Sequence, residues 1–408
     1  MTNPIVVRPV TADEYDAYGT ALALGFGGDY DAEEQALERE LIPLEDTLAA
    51  FEGDLLVGTE GVFRMALNLP GGEPVPMAGV TSIAVLPTHR RRGVLTALMR
   101  RRLEGMHEAG QWLAGLWASE SVIYGRYGYG VATERVTLEV TKRRAAFRRP
   151  LSGAGRVRLV DREEAMAVIP MIFERATAGW PGTMPRGEAW WRYLWHDPKD
   201  DREGRSALLF AIHATAGRDD AYAVYRTKFD WATDAPTEVY LADLASISDE
   251  GYAGTWRYLL DIDLGDIVMA ARRPVDEPLT WMLADRAAIR GQVREGLWLR
   301  LVDVATALAT RTYAEEGSVV LDIKDAFCPW NAGRYLLTGG PDGASCEPTP
   351  KAADLVLDAA ELGATFLGGV RLSTLARAGR VQEESPGAVA RADAVLRGNR
   401  APWCDRVF

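Results

Sequence analysis

The stretch Thr88-His89-Arg90-Arg91-Arg92-Gly93-Val94-Leu95-Thr96 joins three arginines and a glycine to the start of a helical apolar pattern. It follows the β-rich run Val80 to Leu86, which Pro87 ends because proline has no N–H to give a ladder. At such a strand-to-helix turn the first backbone N–H groups lack helical partners and sit at the positive end of the helix dipole. Gly93 lets the backbone approach a ligand with no Cβ in the way, while each arginine can add a charge-assisted bond to a phosphate oxygen, roughly 1.5–3 kcal/mol apiece. The chemistry expected of this turn is a grip on a diphosphate.

A mixed α/β layer has to position it. Ahead of the turn come a short strand near Val6 to Pro9, an acidic helical stretch through Glu33, Glu34, Glu38 and Glu40, and strands at Thr47–Phe51 and Leu55–Arg64 around Gly53-Asp54. Val94, Leu95, Leu98, Met99 and Leu103 recur at helical spacing from Gly93 to before Gly110, with Arg100 to Arg102 as a basic flank. Beyond it, Trp112 to Trp117 reads as a buried strand, Ser121 to Tyr127 as a short helix and Arg135 to Val140 as the strand that closes the first domain. The alternation of strands and helices predicts a mixed sheet.

A length of 408 residues exceeds one ordinary core, and three domains are expected, at 1–145, 146–295 and 296–408. The basic run Lys142, Arg143, Arg144, Arg148 and Arg149, followed by Leu151-Ser152-Gly153-Ala154, reads as a solvated linker rather than a binding patch. In the second segment Ser206–Thr215 and Ala221–Thr227 form a hairpin around Gly217-Arg218-Asp219-Asp220, and Val239–Leu244, Tyr252–Leu264 and Ile267–Ala271 read as strand, helix and strand. This last run mirrors Val80–Val85 and its helix, but Ser248-Asp249-Glu250-Gly251 replaces the arginine turn, and its carboxylates would repel a pyrophosphate. A degenerate repeat and a chance likeness of two αβ segments both fit. Trp191 and Trp195 have the spacing of a helical core face, whereas Trp190 and Trp298 suit either a pocket wall or a core. The third segment starts after Gly296-Leu297-Trp298-Leu299, carries strands at Ser318–Lys324 and Arg334–Thr338, and has no catalytic motif.

Composition bounds the remaining possibilities. With 48% apolar and 25% charged residues the chain is that of a folded globular protein. The N-terminus has no secretory pattern and no apolar run approaches the length of a membrane span, so a cytoplasmic protein is expected. Cys328, Cys346 and Cys404 are widely spaced, and His89, His107, His196 and His213 show no ligand spacing, so neither a disulfide framework nor a metal site is expected. The net charge of −12 disfavours nucleic acid. That acidity suits a polycationic small molecule, or serves only to keep the protein in solution.

The turn also resembles the diphosphate loop of the GNAT superfamily, Arg/Gln-x-x-Gly-x-Gly/Ala, through Arg90 and Gly93, with Leu95 departing at the last position. A closer resemblance runs through Ala84-Val85-Leu86-Pro87-Thr88-His89-Arg90-Arg91-Arg92-Gly93, then Ala118-Ser119-Glu120, then Ile123-Tyr124-Gly125-Arg126-Tyr127-Gly128-Tyr129-Gly130. These are similar to the Eis (enhanced intracellular survival) acetyltransferases of actinobacteria, in which the leucine also occurs. The resemblance implies an N-terminal GNAT domain, a central GNAT-like domain without cofactor, a C-terminal domain with a sterol-carrier-protein fold, and a homo-hexamer.

It also implies roles. Ile83, Ala84 and Val85 would hold the acetyl and pantetheine part of acetyl-CoA through their backbone. Arg91, Arg92, Gly93, Val94, Leu95 and Thr96 would hold the pyrophosphate, and Ser119 and Glu120 would line the far side of the groove. Tyr124 would protonate the leaving thiolate, for which a phenol with a reference pKa near ~10 is suited, being protonated at neutral pH. The terminal carboxylate of Phe408 would be the base that takes a proton from the substrate ammonium. Within the stretch Phe26 to Glu34, Asp29 is the first choice for an acceptor-binding carboxylate, against the plainer reading of a solvated helix face. The acceptors implied are aminoglycosides or similar polyamines. A protein-lysine acetyltransferase is the alternative within the same chemistry, and a lipid or sterol carrier with a vestigial transferase domain the alternative outside it.

Overall fold

Seven strands make the first sheet, and the chain reaches them out of order. A computed structural model describes residues 4–29, 31–150, 155–229 and 237–408, so the linker reading of Leu151-Ser152-Gly153-Ala154 lies outside the described residues. In chain order the site-bearing elements are β1 (Ile5–Arg8), α1 (Tyr15–Phe26), α2 (Ala32–Leu41), β2 (Leu48–Glu52), β3 (Leu55–Leu67), β4 (Val75–Val85), α3 (Val94–Glu108) and β5 (Leu113–Trp117). The first four strands pair antiparallel in sequence, and β4 then pairs in parallel with β5.

The next two places in this sheet go to Leu297–Leu301, which pairs antiparallel with β5, and to Gly130–Val131. The strand expected to close the first domain, Glu134–Thr141, instead lies in the second sheet, between Ile289–Glu295 and Ile267–Arg273. The reason for the exchange is burial on both faces. Every residue of Leu297–Leu301 is buried, which suits an interior strand of a sheet covered on both sides. Local patterning records that burial but not which neighbour supplies it.

Two compact units result. One is formed by Met1–Thr133, Gly179–Met184 and Gly296–Phe408, the other by Glu134–Ala178 and Pro185–Glu295. In the first unit, a five-stranded sheet with Gly317–Lys324 at its centre follows the shared sheet. The helix Ala359–Thr365 presses against the shared sheet so closely that only glycine fits at Gly130 and Gly363, where a Cβ would collide with the carbonyl oxygens of Ala360 and Leu299. Below it a buried ion pair joins Arg300 Nη2 to Asp325 Oδ2 at 2.6 Å, and Asp325 Oδ1 accepts from the Cys328 amide at 2.9 Å.

The second unit is a seven-stranded mixed sheet, with the predicted hairpin at Leu209–Thr215 and Arg218–Lys228. The Trp191 ring lies 5.2 Å from that of Trp195 and the Trp195 ring 4.7 Å from that of Phe210, both pairs tilted, so the helical tryptophan spacing marks a core. Its helix Asp249–Asp261 starts with Ser248 as cap, the hydroxyl accepting from the Gly251 amide at 2.9 Å, and carries Asp249 and Glu250 in its first turn. A helix start already satisfied and flanked by two carboxylates offers nothing to an anion.

Candidate active site

β4 and β5 are in parallel register only at Ala78↔Ala114 and Gly79↔Gly115, after which they diverge. On its other edge β4 carries an extra residue: Ala84 faces Thr59 whereas Thr81 faces Gly61, so the bulge spans Ser82 and Ile83. Ser82 adopts φ +50°, the left-handed conformation a bulge can require, and its carbonyl accepts from Thr59 Oγ1 at 2.8 Å. The bulge and the parting of the strands act together. They turn the backbone of Ile83, Ala84 and Val85 away from the ladder on the β5 side, where its amides and carbonyls can serve an extended ligand. Close behind them packs α1, where a Cβ on Gly25 would lie 2.6 Å from Ala84 Cβ.

Four residues separate the end of the short turn Pro87–His89 from the start of α3. Its N-cap is Gly93 at φ +84°, no side chain caps it, and the first helical bond runs from Ala97 N to Gly93 O at 3.0 Å. The amides of Val94, Leu95 and Thr96 therefore open into the space in front of Gly93, where an added Cβ would meet nothing within 4 Å. Two of the arginines are otherwise engaged. Arg90 Nη2 donates to the Gly25 carbonyl at 2.7 Å, and Arg92 Nη2 donates to Glu52 Oε1 at 2.6 Å. Glu52 also meets His89 Nε2 at 3.0 Å, and the Arg92 and His89 contacts hold its carboxyl below the usual range. Glu52 thus pins the loop from β2, while Arg91 is exposed and sits at φ +61°.

Tyr124 ends the helical turn Ser121–Tyr124 and is 4% exposed. It packs among Val80, Met99, Leu103, Tyr127 and Tyr129, with the Tyr129 ring at 6.3 Å in an edge contact. Burial pushes its hydroxyl above the ordinary tyrosine value, and a hydrogen bond with Ser119 pulls the other way. It is therefore a protonated phenol at neutral pH. Glu120 is the N-cap of that turn and is exposed, while Leu95 and Ile83 pack against the same cluster as Tyr124. Thr96 Oγ1 lies 3.2 Å from Tyr127 Oη, tying α3 to the tyrosine turn.

The tail reaches this neighbourhood. Trp403 N donates to Pro181 O at 2.8 Å, Asp405 Oδ1 accepts from Met184 N at 3.2 Å, and Arg406 Nη2 donates to Met184 O at 2.9 Å. Held there, Phe408 sets its ring edge-on to Phe63 at a centroid distance of 6.3 Å. Asp29, by contrast, is exposed between α1 and α2, and it is Asp31 that caps α2 by accepting from the Glu33 and Glu34 amides.

Several polar groups of the site carried no motif. Glu38, 8% exposed, accepts from Ser82 Oγ at 2.7 Å and from Gln35 Nε2 at 3.2 Å, and burial raises its carboxyl. Glu60, fully buried on β3, takes Arg102 Nε on both oxygens at 2.8 and 2.9 Å. A lone carboxylate inside the apolar run of β3 was a signal of this pair; nothing local could have paired Glu38 with Ser82.

Residues 6–132 and 182–301 each match a family described as acetyltransferase (GNAT) domain, and 304–405 match the sterol carrier protein domain. An uncharacterized N-acetyltransferase of Streptomyces avermitilis is 39% identical over 98% of this chain and 99% of its own length. The N-acetyltransferase Eis of Mycobacterium tuberculosis is 32% identical over 95% of each chain. The crystal structure of Eis1 from Mycobacterium abscessus superimposes with a TM-score of 0.86 at 34% identity, covering 99% of this chain and 100% of that one. With a splayed β4, an uncapped glycine-led α3 and relatives that match nearly end to end, the chain belongs to the Eis family of GNAT N-acetyltransferases.

Proposed function

We propose that the enzyme transfers the acetyl group of acetyl-CoA directly to a primary amine of an aminoglycoside or a similar polyamine. The observation that carries the reading is the pairing of two open backbone features on one side of the first sheet. The uncapped amides of α3 suit a diphosphate, and the diverging edge of β4 suits the amide-rich pantetheine arm. In this reading Arg91 adds charge at the diphosphate and Arg92 holds the loop through Glu52.

The acceptor amine, once deprotonated, attacks the thioester carbonyl carbon; the C–N bond forms, the C–S bond breaks and the sulfur leaves as a thiolate. Tyr124 gives that sulfur its proton, which a phenol held protonated by burial can do. The terminal carboxylate of Phe408 takes the proton the amine loses, directly or through water. No bond to the protein forms, so both substrates bind before either product leaves. The second sheet takes no cofactor, and the assembly is a homo-hexamer.

Thiol release from acetyl-CoA with kanamycin, a histone-like lysine peptide and no acceptor tests this. Release with kanamycin supports the proposal, release with the peptide alone moves the acceptor to protein lysines, and no release with either contradicts it.

A further inference from the structure

The basic run Lys142 to Arg149 is folded against the second unit rather than loose. Lys142–Arg144 makes one tight helical turn, and Phe147 then bridges to Leu283, so that the Arg148 amide donates to the Met282 carbonyl at 2.9 Å. This sets the run beside Trp281, which is 70% exposed and carries the Arg286 guanidinium 4.1 Å from its ring centroid. Arg144, Arg148, Arg149 and Arg286 are all exposed. Asp285 answers Arg144 at 2.7 Å, whereas Arg148, Arg149 and Arg286 have no ion-pair partner among the described residues.

Arg286 also lines a hollow of about 500 Å³ whose apolar wall is formed by Val136, Leu138, Val275 and Ile289. Glu277 borders it too, but its carboxylate is engaged by Arg273 at 3.1 Å and by the Tyr252 hydroxyl. Val275 is exposed, and so is Val293, which shares a face with Ile289 on the edge strand Ile289–Glu295. An apolar hollow, an exposed tryptophan and unanswered cations therefore coincide. In a chain of net charge −12, such cations run against the overall balance and turn this face toward an anion.

Tryptophan settles at the headgroup level of a bilayer, and arginines beside it meet the phosphates of anionic lipids. A nucleic acid would need open aromatic faces for its bases, yet Trp281 already has Arg286 over its ring, and the aliphatic hollow offers a base no stacking partner. We propose that this face of the second unit docks on an anionic lipid bilayer. Trp281 and the hollow take up the apolar part of the interface, and Arg148, Arg149 and Arg286 meet the lipid phosphates. A dock of this kind lies on the membrane, and no helix among the described residues is long and apolar enough to cross one. None of these residues belongs to the cofactor site or to the acetyl-transfer chemistry.

The test floats the full-length protein with vesicles of phosphatidylcholine alone and with vesicles of equal parts phosphatidylcholine and phosphatidylglycerol, and measures retention of poly(U) RNA on a filter. Each is done at about 0.1 M and about 1 M NaCl, which shortens the screening length from about 10 to 3 Å. The expected result is flotation with the anionic vesicles at the lower salt only. The triple variant Arg148→Gln, Arg149→Gln, Arg286→Gln is expected to partition roughly 100-fold more weakly, about fivefold per cation, with Tm held. Trp281→Ser is expected to partition roughly tenfold more weakly, also with Tm held. Unchanged flotation of the folded triple variant overturns the dock; should that variant not fold, unchanged flotation of Trp281→Ser does so. Equal flotation with both vesicle types, or none with either, overturns it as well. Retention of the RNA without flotation overturns it and assigns the face to nucleic acid.

Discussion

The ring of Phe408 lies over Gly79: a Cβ added to that glycine would stand 3.1 Å from Phe408 Cε2 and would collide with Met65 Sδ. Gly79 is also the last residue of β4 in register with β5, so the chain terminus lies where the two strands part. Gly79→Ala is expected to displace the ring and lower kcat by about 10- to 100-fold, the range for a misplacement near 1 Å, with the protein still folded. A Gly-Ser extension beyond Phe408, which moves the terminal carboxylate, is expected to act in the same direction. Steady-state rates beside a thermal melt check both; wild-type kcat in the extended protein would remove the carboxylate from the reaction.

Tyr124→Phe keeps the ring among Val80, Met99 and Leu103 and removes only the proton donor. It is expected to lower kcat by roughly 10²- to 10⁴-fold, the usual range for general acid–base catalysis, with little change in acetyl-CoA affinity. Steady-state kinetics and calorimetry separate the two quantities. Because burial raises the Tyr124 hydroxyl, the wild-type rate is expected to show no loss from tyrosine ionisation through neutral and mildly alkaline pH.

What the sequence made legible was chemistry set by adjacent residues. The run Arg90-Arg91-Arg92-Gly93 with Pro87 before it and Leu98, Met99 and Leu103 after it points to a strand end and an amphipathic helix, both found as expected, and the structure adds that Gly93 leads the helix in a left-handed conformation. The division of labour among the arginines was not legible. Whether a guanidinium meets ligand or protein depends on Gly25 and Glu52, which lie 65 and 40 residues away. Leu297–Leu301 and Glu134–Thr141 exchanged sheets for the same reason, since strand patterning reports burial and not partners. The β4 bulge at Ser82 arises from register against β3, which no local pattern encodes.

The Glu60–Arg102 pair makes a prediction about pH. Burial raises the Glu60 carboxyl to about 7, with Arg102 opposing the rise. A carboxyl whose folded value lies above its unfolded one binds its proton more readily in the native state, so its contribution is full below about 4.3 and falls as pH rises through 7. Between those limits the Tm of wild type is expected to fall with pH relative to Glu60→Gln, which lacks the titration. Parallel Tm profiles for the two proteins would contradict the raised value. Arg102→Met, which strands the carboxylate, is expected to destabilise by about 3–5 kcal/mol at pH 8, read from denaturant unfolding.

The central claim is that the open amides ahead of α3, with Arg91, hold the diphosphate of acetyl-CoA. Calorimetric titration of acetyl-CoA into wild type and Arg91→Ala tests it most directly. The account predicts saturable binding at one site per chain, weakened by about 10- to 150-fold in Arg91→Ala, the equivalent of one charge-assisted hydrogen bond. No saturable binding by the wild-type protein would contradict it.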